Sequence, residues 1–323
     1  MALIEPARRI ALLAHEHPDG DCLGSALGFA HILEQMGKTC TPACADPAPR
    51  SFLFLPGIES LQQTLGEVGH EPFDLVIALD AGELTRYGAL YERHKSFLDS
   101  ATILNIDHHI SSSGCGQVNI IDPTAAATAE LLVLFQQQAQ LPLSQDAAQC
   151  LLTGFITDTA SFQFTSTTPR TMEAAAILLR AGATAEKVVM PVFRTRTLAH
   201  MRFQAAVIDN VQTACDGRII WSYATEQTLK NAGASAEMDD NFSGMLRDIE
   251  GVRIAAFFKS YGEPNVTRLS LRCAEPYNAA DICLRLGGGG HARAAGATLH
   301  APLDEAMSRV IAELKHEVDE VEV

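Results

Sequence analysis

Short apolar runs alternate with helical patterns through the first half of the chain. Runs suited to buried strands occupy residues 10–14, 75–79 and 103–106, with a weaker strand candidate at 38–45. Elsewhere apolar residues recur three and four positions apart, as they do on one face of a helix. These helical patterns cover residues 23–36, 125–140, 144–157 and 170–179. Strands that alternate with helices predict an α/β fold, with a parallel sheet covered by helices on both faces.

The last third of the chain predicts a second, smaller α/β domain. Its strands are expected at residues 219–224, 252–259, 267–273 and 297–300. Its helices are expected at residues 226–232, 240–249, 279–286 and 302–317. We therefore expect a first domain of residues 1–187, a helical connection of residues 188–214 and a second domain of residues 215–323. A ligand cleft between the two domains is also expected.

The composition argues against long nucleic acid and membranes as binding partners of this protein. The formal net charge of -15 argues against a protein that coats long duplex nucleic acid, which needs many basic contacts to phosphate. No apolar run is long enough to span a membrane, and the N-terminus lacks the order of segments found in a signal peptide, so a cytoplasmic protein is expected. The eight cysteines form no CxxC pair and predict reduced core residues; Cys40 and Cys44 are a weak zinc candidate.

Residues that can bind metal follow the apolar runs. In chain order these groups are His15-Glu16-His17-Pro18-Asp19-Gly20-Asp21, Asp80, Asp107-His108-His109 and Asp158. In parallel sheets, sites form at the carboxyl ends of strands. A polar turn after a buried strand, without any metal, would explain one such group. Ser25, at the start of the first helix, is expected to cap that helix. The recurrence of ligand types favours a site that binds a pair of metal ions.

These motifs resemble those of the DHH phosphoesterase superfamily, and the resemblance covers nearly the whole chain. Near the C-terminus, a second signature resembles that of the DHHA1 domain. It reads Gly287-Gly288-Gly289-Gly290-His291-x-x-Ala294-Ala295-Gly296. The resemblance therefore implies a metal-dependent hydrolase of phosphoester bonds, with a catalytic first domain and a substrate-binding second domain.

The resemblance also implies two sets of metal ligands. His15, Asp19 and Asp80 would hold one ion. The other ion would be held by Asp21, Asp80, His108 and Asp158. Asp80 is then the bridge, and the mixture of imidazole and carboxylate suits Mn²⁺ better than Mg²⁺, with Co²⁺ as a further option. His109 would donate a hydrogen bond to the phosphate or protonate the leaving oxygen; the alternative is that it only orients a ligand.

Substrate contacts are expected in the second domain. By resemblance, Gly288, Gly289, Gly290 and His291 would form a loop that holds the nonreacting phosphate and nucleoside, with backbone N–H groups arranged as an anion nest. Arg272 would grip a terminal phosphate. Four further residues are expected to play smaller parts. Arg247 and Arg293 are weaker anion-binding candidates, and His17 and Glu16 are expected to be exposed.

The domain content favours one group within the superfamily. RecJ-type exonucleases need further domains, family II pyrophosphatases lack the glycine-rich signature, and membrane-bound cyclic dinucleotide phosphodiesterases carry membrane segments. The remaining group hydrolyses short oligoribonucleotides (nanoRNA), or related short single-stranded DNA, and the 3′-phosphate of adenosine 3′,5′-bisphosphate (pAp). Enzymes acting on linear or cyclic dinucleotides (pApA, pGpG, c-di-AMP) are the alternative. A nucleotide-binding regulator without turnover and a homodimer both stay open.

Overall fold

The chain forms two compact units. The computed structural model describes residues 1–238 and 241–321. The first unit comprises Met1–Thr195 and the second Arg196–Val323. Within the described residues no helix is both long and apolar enough to cross a bilayer. Asp240, the expected first residue of one helix, lies outside the described residues.

The first unit contains five strands and seven helices within the described residues. The strands are β1 (Arg9–Leu13), β2 (Thr39–Ala43), β3 (Leu75–Leu79), β4 (Ile103–Asp107) and β5 (Val118–Ile121). The helices are α1 (Gly20–Gln35), α2 (Gly88–Arg93), α3 (Lys95–Leu98), α4 (Thr128–Gln138), α5 (Gln145–Asp158), α6 (Pro169–Arg180) and α7 (Glu186–Val189). Short 3-10 turns at Arg50–Phe52, Ile58–Ser60 and Leu84–Tyr87 and a π-helical turn at Met190–Arg194 complete it.

All five strands of the first sheet are parallel, in the order β2-β1-β3-β4-β5. Alternate residues of β1 enter different cores, as the strand period of two requires. Ile10 and Leu12 pack with α1, α4 and α5, whereas Ala11 and Leu13 pack on the opposite side with residues of α2 and α3. The predicted parallel sheet with helices on both faces is therefore confirmed.

A seam of glycines brings α1 and α5 into close contact. A Cβ atom at Gly24 would lie 2.4 Å from the carbonyl oxygen of Cys150, and one at Gly28 would lie 2.8 Å from Leu151 Cγ. At Gly154 it would lie 2.3 Å from Asp21 Oδ1. Since Asp21 is in the first turn of α1 and Asp158 ends α5, this seam sets how close these two carboxylates can be.

The second unit is built on a mixed sheet of six strands. Its strands are β6 (Gln212–Ala214), β7 (Ile219–Thr225), β8 (Ile254–Ser260), β9 (Thr267–Cys273), β10 (Gly289–His291) and β11 (Ala294–Leu299). Its helices are α8 (Leu198–Asp209), α9 (Glu226–Ala232), α10 (Phe242–Arg247), α11 (Ala279–Arg285) and α12 (Leu303–Val321), with a 3-10 turn at Ala236–Met238. The strand order is β10-β11-β9-β8-β7-β6, and only β7 and β8 pair in parallel.

Several local expectations were wrong. Strands β5, β6 and β10 were not predicted; they are only three or four residues long. Ser25 does not cap α1, because the helix begins at Gly20 and the Asp19 carboxylate accepts from the backbone N–H groups of Asp21 and Cys22, at 3.0 Å each.

All eight cysteines are free thiols, as expected.

We expect Gly24→Ala to destabilise the first unit. The added methyl group would meet a backbone oxygen that cannot rotate away, so α1 and α5 must separate, at a cost of about 1–3 kcal/mol in the free energy of unfolding. Urea unfolding followed by circular dichroism measures this loss. The control is Gln35→Ala at an exposed position of the same helix. Equal midpoints for the two variants would show that the seam tolerates a methyl group.

Candidate active site

The strand order places the predicted ligands at one edge of the first sheet. The chain leaves β1 toward β2 on one side and later enters β3 on the other, so the sheet reverses its order between β1 and β3. Sites in open α/β sheets form outside the carboxyl ends of the strands at such a point. The loop after β1 supplies His15, and the residue directly after β3 is Asp80.

Asp80 faces a histidine with each of its two carboxylate oxygens. Its Oδ2 lies 3.5 Å from His15 Nε2, and its Oδ1 lies 3.5 Å from His108 Nε2. The residue is 2% exposed and has a left-handed backbone, with φ at 59°. Aspartate tolerates this conformation better than most residues, and such strain is common at functional sites. One carboxylate between two imidazoles is the arrangement that a bridging ligand needs.

His108 is surrounded by carboxylates. Its Nε2 lies 3.2 Å from Asp158 Oδ2 and 4.0 Å from Asp21 Oδ2, in addition to its contact with Asp80. This buried nitrogen has no aligned hydrogen-bond partner among the described residues. The ring's Nδ1 lies 3.3 Å from the carbonyl oxygen of Ala125, which fixes the ring orientation. An unpartnered imidazole nitrogen facing three carboxylates fits a divalent cation.

His15 and Asp19 form the other side of the cluster. His15 Nδ1 lies 2.8 Å from the carbonyl oxygen of Glu16, so Nε2 faces the carboxylates. That nitrogen is 3.8 Å from Asp19 Oδ2. His17 is exposed, as expected, whereas Glu16 is half-buried, because its carboxylate packs against Gly88.

All six predicted metal ligands are thus brought together. The described residues contain three sets of possible ligand atoms, and within each set the atoms lie within 4.8 Å of one another; the second and third sets share His108. They are His15, Asp19 and Cys22; Asp80, His108 and His109; and Asp21, His108 and Asp158. Cys22 was not predicted to be near the site. Of the candidate zinc pair, Cys44 is buried, and its thiol donates to the carbonyl oxygen of His15.

His109 is held by a carboxylate of its own. Its Nδ1 lies 2.7 Å from Asp107 Oδ1, which also accepts from the His109 backbone N–H at 3.2 Å. The His109 ring is about half exposed, with 49% of its side-chain surface accessible, whereas Asp107 is fully buried. The distance from His109 Nδ1 to Asp80 Oδ1 is 3.8 Å, so the ring lies at the edge of the cluster.

In the second unit, the predicted glycine loop is partly a strand. Gly289–His291 forms β10 and pairs with β11, with Gly290 opposite Ala295. A Cβ atom at Gly288 would lie 2.1 Å from the carbonyl oxygen of Gly296, and one at Gly290 would lie 2.5 Å from Ala295 Cα. Close backbone packing is therefore the demonstrated reason for glycine at these two positions. His291 is exposed.

Arg272 lies on β9, two residues beyond Ser270, so both point to the same face of the sheet. Its Nη1 donates to the carbonyl oxygen of Leu271 at 3.3 Å, and no carboxylate pairs with it among the described residues. Beside it, Lys259, Arg268, Ser270, Gly288 and Gly296 line a concavity of about 500 Å³. Arg247 and Arg293 instead pair with the carboxylates of Asp248 and Glu275.

Comparison with known proteins identifies the family. A family model described as the N-terminal domain of the DHH family matches residues 9–155, and a model of the DHHA1 domain matches residues 217–320. The bifunctional oligoribonuclease and PAP phosphatase NrnA of Thermus thermophilus is 32% identical over 311 residues, which cover 96% of this chain and 90% of that protein. The chain belongs to the DHH family.

Two further matches extend the comparison. The cyclic-di-AMP phosphodiesterase PdeA of Listeria monocytogenes is 26% identical over 305 residues, covering 90% of this DHH chain but 44% of that protein. The crystal structure of an exopolyphosphatase-related protein from Bacteroides fragilis matches with a TM-score of 0.88 at 20% identity, covering 100% of this chain and 96% of that one. This second match shows a shared fold. The DHH chain is thus a metal-dependent phosphoesterase.

The candidate metal site concentrates negative charge, which raises the pKa values of several of its residues. Burial raises the pKa of Asp21, and the nearby Asp80 and Asp158 carboxylates raise it further. Burial likewise raises the pKa of Asp158, to about 6. Burial alone would lower the pKa of His15, but hydrogen bonding to Asp80 and to the Glu16 carbonyl outweighs it and raises the pKa to about 9.

The pKa values of His108 and His109 are also raised. For His108, burial favours the neutral form, but Asp158, Asp21 and Asp80 together raise its pKa to about 10. The hydrogen bond to Asp107 is the main reason that the pKa of His109 is raised. Without metal, the site therefore holds protons where a cation would otherwise balance the charge.

Sequence reasoning missed several residues at the candidate metal site of the first unit and at the concavity of the second. Asp107 was noted only as part of a motif, although a buried aspartate at a strand end beside a histidine is a signal for a positioning role. Arg268 could have been found, because it lies on the same face of β9 as Arg272. Thr128 and Lys259 carry no local signal, since only the tertiary fold brings them to their sites.

We expect metal to stabilise this chain more at higher pH. In the metal-free protein, the raised pKa values of His15 and His108 contribute stability that is full below the usual 6.5 and is lost as pH rises through about 9 and about 10. The raised pKa of Asp158 likewise contributes stability that is lost as the pH rises from 3.8 through about 6. A divalent ion needs these groups deprotonated, so its affinity rises over the same range.

Thermal unfolding with and without Mn²⁺ measures this effect. The rise in Tm caused by the ion should be several-fold larger at about pH 8.5 than at about pH 6. EDTA should abolish the rise at both values. A rise that is independent of pH would contradict the exchange of protons for metal at these residues.

Proposed function

We propose that this chain hydrolyses very short oligoribonucleotides to mononucleotides and removes the 3′-phosphate of pAp, using two Mn²⁺ ions. The placement of Asp80, with one oxygen facing His15 and the other facing His108, is the observation that carries the two-metal proposal. The substrate class is supported by the relative from Thermus thermophilus, whose name states both activities and which aligns over nearly the whole chain.

The ligands divide between two ions in this proposal. His15, Asp19 and Asp80 hold one ion, and the second is held by Asp21, Asp80, His108 and Asp158. Mixed imidazole and carboxylate donors support Mn²⁺, with Mg²⁺ and Co²⁺ as alternatives. Such a pair of ions makes a water molecule nucleophilic and neutralises charge on the phosphoryl oxygens.

His109 acts as the general acid in this mechanism. Asp107 holds the ring through Nδ1, which leaves Nε2 to face a substrate. The raised pKa of His109 keeps the ring protonated at a pH where a free histidine would lose its proton. A protonated ring can donate to the leaving oxygen, and the buried Asp107 carboxylate stabilises its positive charge.

The second unit binds the part of the substrate that does not react. Arg272 is half-buried, has no carboxylate partner among the described residues, and burial lowers the pKa of its guanidinium. A phosphate would supply the missing counter-charge in bidentate form. Gly288, Gly289, Gly290 and His291 lie on the neighbouring hairpin or the turn that leads into it. Gly288 also lines the concavity beside Arg268, and we include these residues in the substrate site.

Linear dinucleotides such as pApA or pGpG, and cyclic c-di-AMP, form the second candidate substrate class. The relative from Listeria monocytogenes, which is named as a cyclic-di-AMP phosphodiesterase, supports it. One assay separates the candidates. Release of phosphate, mononucleotide or linear dinucleotide with Mn²⁺ is compared for pAp, pApA, c-di-AMP, a five-nucleotide RNA and an RNA of about 24 nucleotides.

We expect His109→Ala to lower kcat for pAp by about 10²–10⁴-fold while both metal ions stay bound. Steady-state kinetics and metal analysis of the purified variant measure the two quantities. His70→Ala, at an exposed position of the same unit, is the control and should match the wild type. Loss of one ion from His109→Ala would make His109 a metal ligand rather than the acid.

We expect Arg272→Ala to raise KM for pAp and dinucleotides by about 10- to 100-fold, because a charged contact to phosphate is lost. In a short substrate the terminal phosphate lies a fixed few bonds from the scissile bond, whereas in a long strand it does not. The same variant should therefore barely change kcat/KM for the RNA of about 24 nucleotides. Arg309→Ala, at an exposed position of α12, is the control. Equal losses on short and long substrates would remove length selection from the role of Arg272.

A further inference from the structure

Helix α4 begins without a capping side chain of its own. Its N-cap residue is Ala127, which cannot accept a hydrogen bond through its side chain. The free backbone N–H groups of Thr128 and Ala129 donate instead to Asp21, at 2.6 Å to Oδ2 and 3.0 Å to Oδ1. The carboxylate that caps α4 therefore comes from α1 and is also one of the candidate metal ligands. The positive end of the α4 dipole stabilises its charge.

The Thr128 side chain reaches a second ligand. Its hydroxyl donates to Asp80 Oδ1 at 2.9 Å, and the residue is fully buried. Oδ1 is the oxygen of Asp80 that faces His108. Thr128 thus contacts Asp21 through its backbone and Asp80 through its side chain, and it is not itself a candidate ligand.

The hydrogen bond of the Thr128 hydroxyl differs from the one that a threonine in a helix usually makes. Within helices, threonine hydroxyls commonly donate to a carbonyl oxygen one turn earlier. Thr153 in α5 does so, since it is fully buried and donates to the carbonyl oxygen of Gln149 at 3.0 Å. Thr128 is the first residue of its helix and donates to a carboxylate distant in sequence.

The segment that carries Thr128 is itself held in place. Glu130 is fully buried and accepts from the backbone N–H of Ala126 at 3.1 Å and from the Thr171 hydroxyl at 2.9 Å. Arg170 Nε lies 2.5 Å from Glu130 Oε1, and Arg170 Nη1 lies 2.9 Å from Asp122 Oδ2. These contacts fix the start of α4 from both sides, so the Thr128 hydroxyl has little freedom to follow a moving carboxylate.

We propose that Thr128 is a positioning residue that fixes the orientations of Asp21 and Asp80 relative to each other and so prepares the site for its second metal ion. The inference rests on the proposed two-metal function. The hydroxyl hydrogen bond prevents the Asp80 carboxylate from turning about its Cβ–Cγ bond, which keeps one oxygen toward His15 and the other toward His108. The backbone N–H bonds hold Asp21 opposite the same imidazole.

The test compares two substitutions at Thr128 in the full-length chain. Thr128→Val keeps the shape and removes the hydroxyl, whereas Thr128→Ser keeps the hydroxyl and removes the methyl group. Calorimetric titration of metal-stripped protein with Mn²⁺ should show that Thr128→Val binds at least one of two ions about 10- to 100-fold more weakly. Its kcat for pAp should fall, with KM changed by less than about threefold. Thr128→Ser should restore both values.

Thr153→Val is the matched control, because it also removes a buried threonine hydroxyl from the first unit. Its affinity for Mn²⁺ should equal that of the wild type, and the Tm of all variants in EDTA shows whether each is folded. Wild-type affinities for both ions in Thr128→Val would overturn the proposal. A Thr128→Ser variant as weak as Thr128→Val would overturn it too, since the methyl group would then be what matters. If the wild type binds two ions but hydrolyses none of the substrates, the proposed function fails while the affinity comparison still decides the role of Thr128.

Discussion

Repulsion among buried carboxylates is the constraint on which the first unit depends. Asp21, Asp80 and Asp158 each place an oxygen within 4.0 Å of one imidazole nitrogen, and two of the three are almost fully buried. Like charges at this spacing cannot all stay ionised without compensation. The fold supplies part of that compensation through the N-terminus of α4, the Thr128 hydroxyl and two histidines with raised pKa values. Bound cations would supply the remainder, so metal binding would also stabilise this edge of the sheet.

The sequence predicted the location of this edge well, because the determining signals are local. A buried strand that ends in a ligand-type residue can be recognised without knowing its neighbours, and parallel pairing then gathers the strand ends. What could not be predicted depends on contacts distant in sequence. Thr128 meets Asp80 only because the tertiary fold brings the start of α4 to the residue that follows β3. Asp19 caps α1 in place of Ser25 because the helix begins at Gly20, three residues before the expected start at residue 23.

The second unit shows the same division between local and distant determinants. Most of its longer strands and helices were predicted within a few residues. The glycine signature was predicted as an anion-binding loop, yet part of it is a strand whose register is set by β11. Gly-Gly-His has no intrinsic preference for a strand, so pairing alone determines this structure. The arginines divide in the same way. Arg247 pairs with Asp248, its neighbour in sequence, whereas the pairing of Arg293 with Glu275 depends on the tertiary fold. So does the lack of a carboxylate partner for Arg272 among the described residues.

The glycine seam between α1 and α5 has a consequence for protein design and for divergence within the family. The carboxylates of Asp21 and Asp158 belong to different helices, and their separation is set by the absence of side chains at Gly24, Gly28 and Gly154. Transplanting the six candidate ligands into another α/β scaffold would therefore fail to reproduce their spacing unless the two helices could approach as closely. In a diverging lineage, a methyl group in the seam would separate Asp21 from Asp158 and so weaken the proposed metal pair, while every candidate ligand remained in the sequence. A homologue with intact motifs but a filled seam would therefore keep the appearance of this family without the spacing of carboxylates that the proposed chemistry needs.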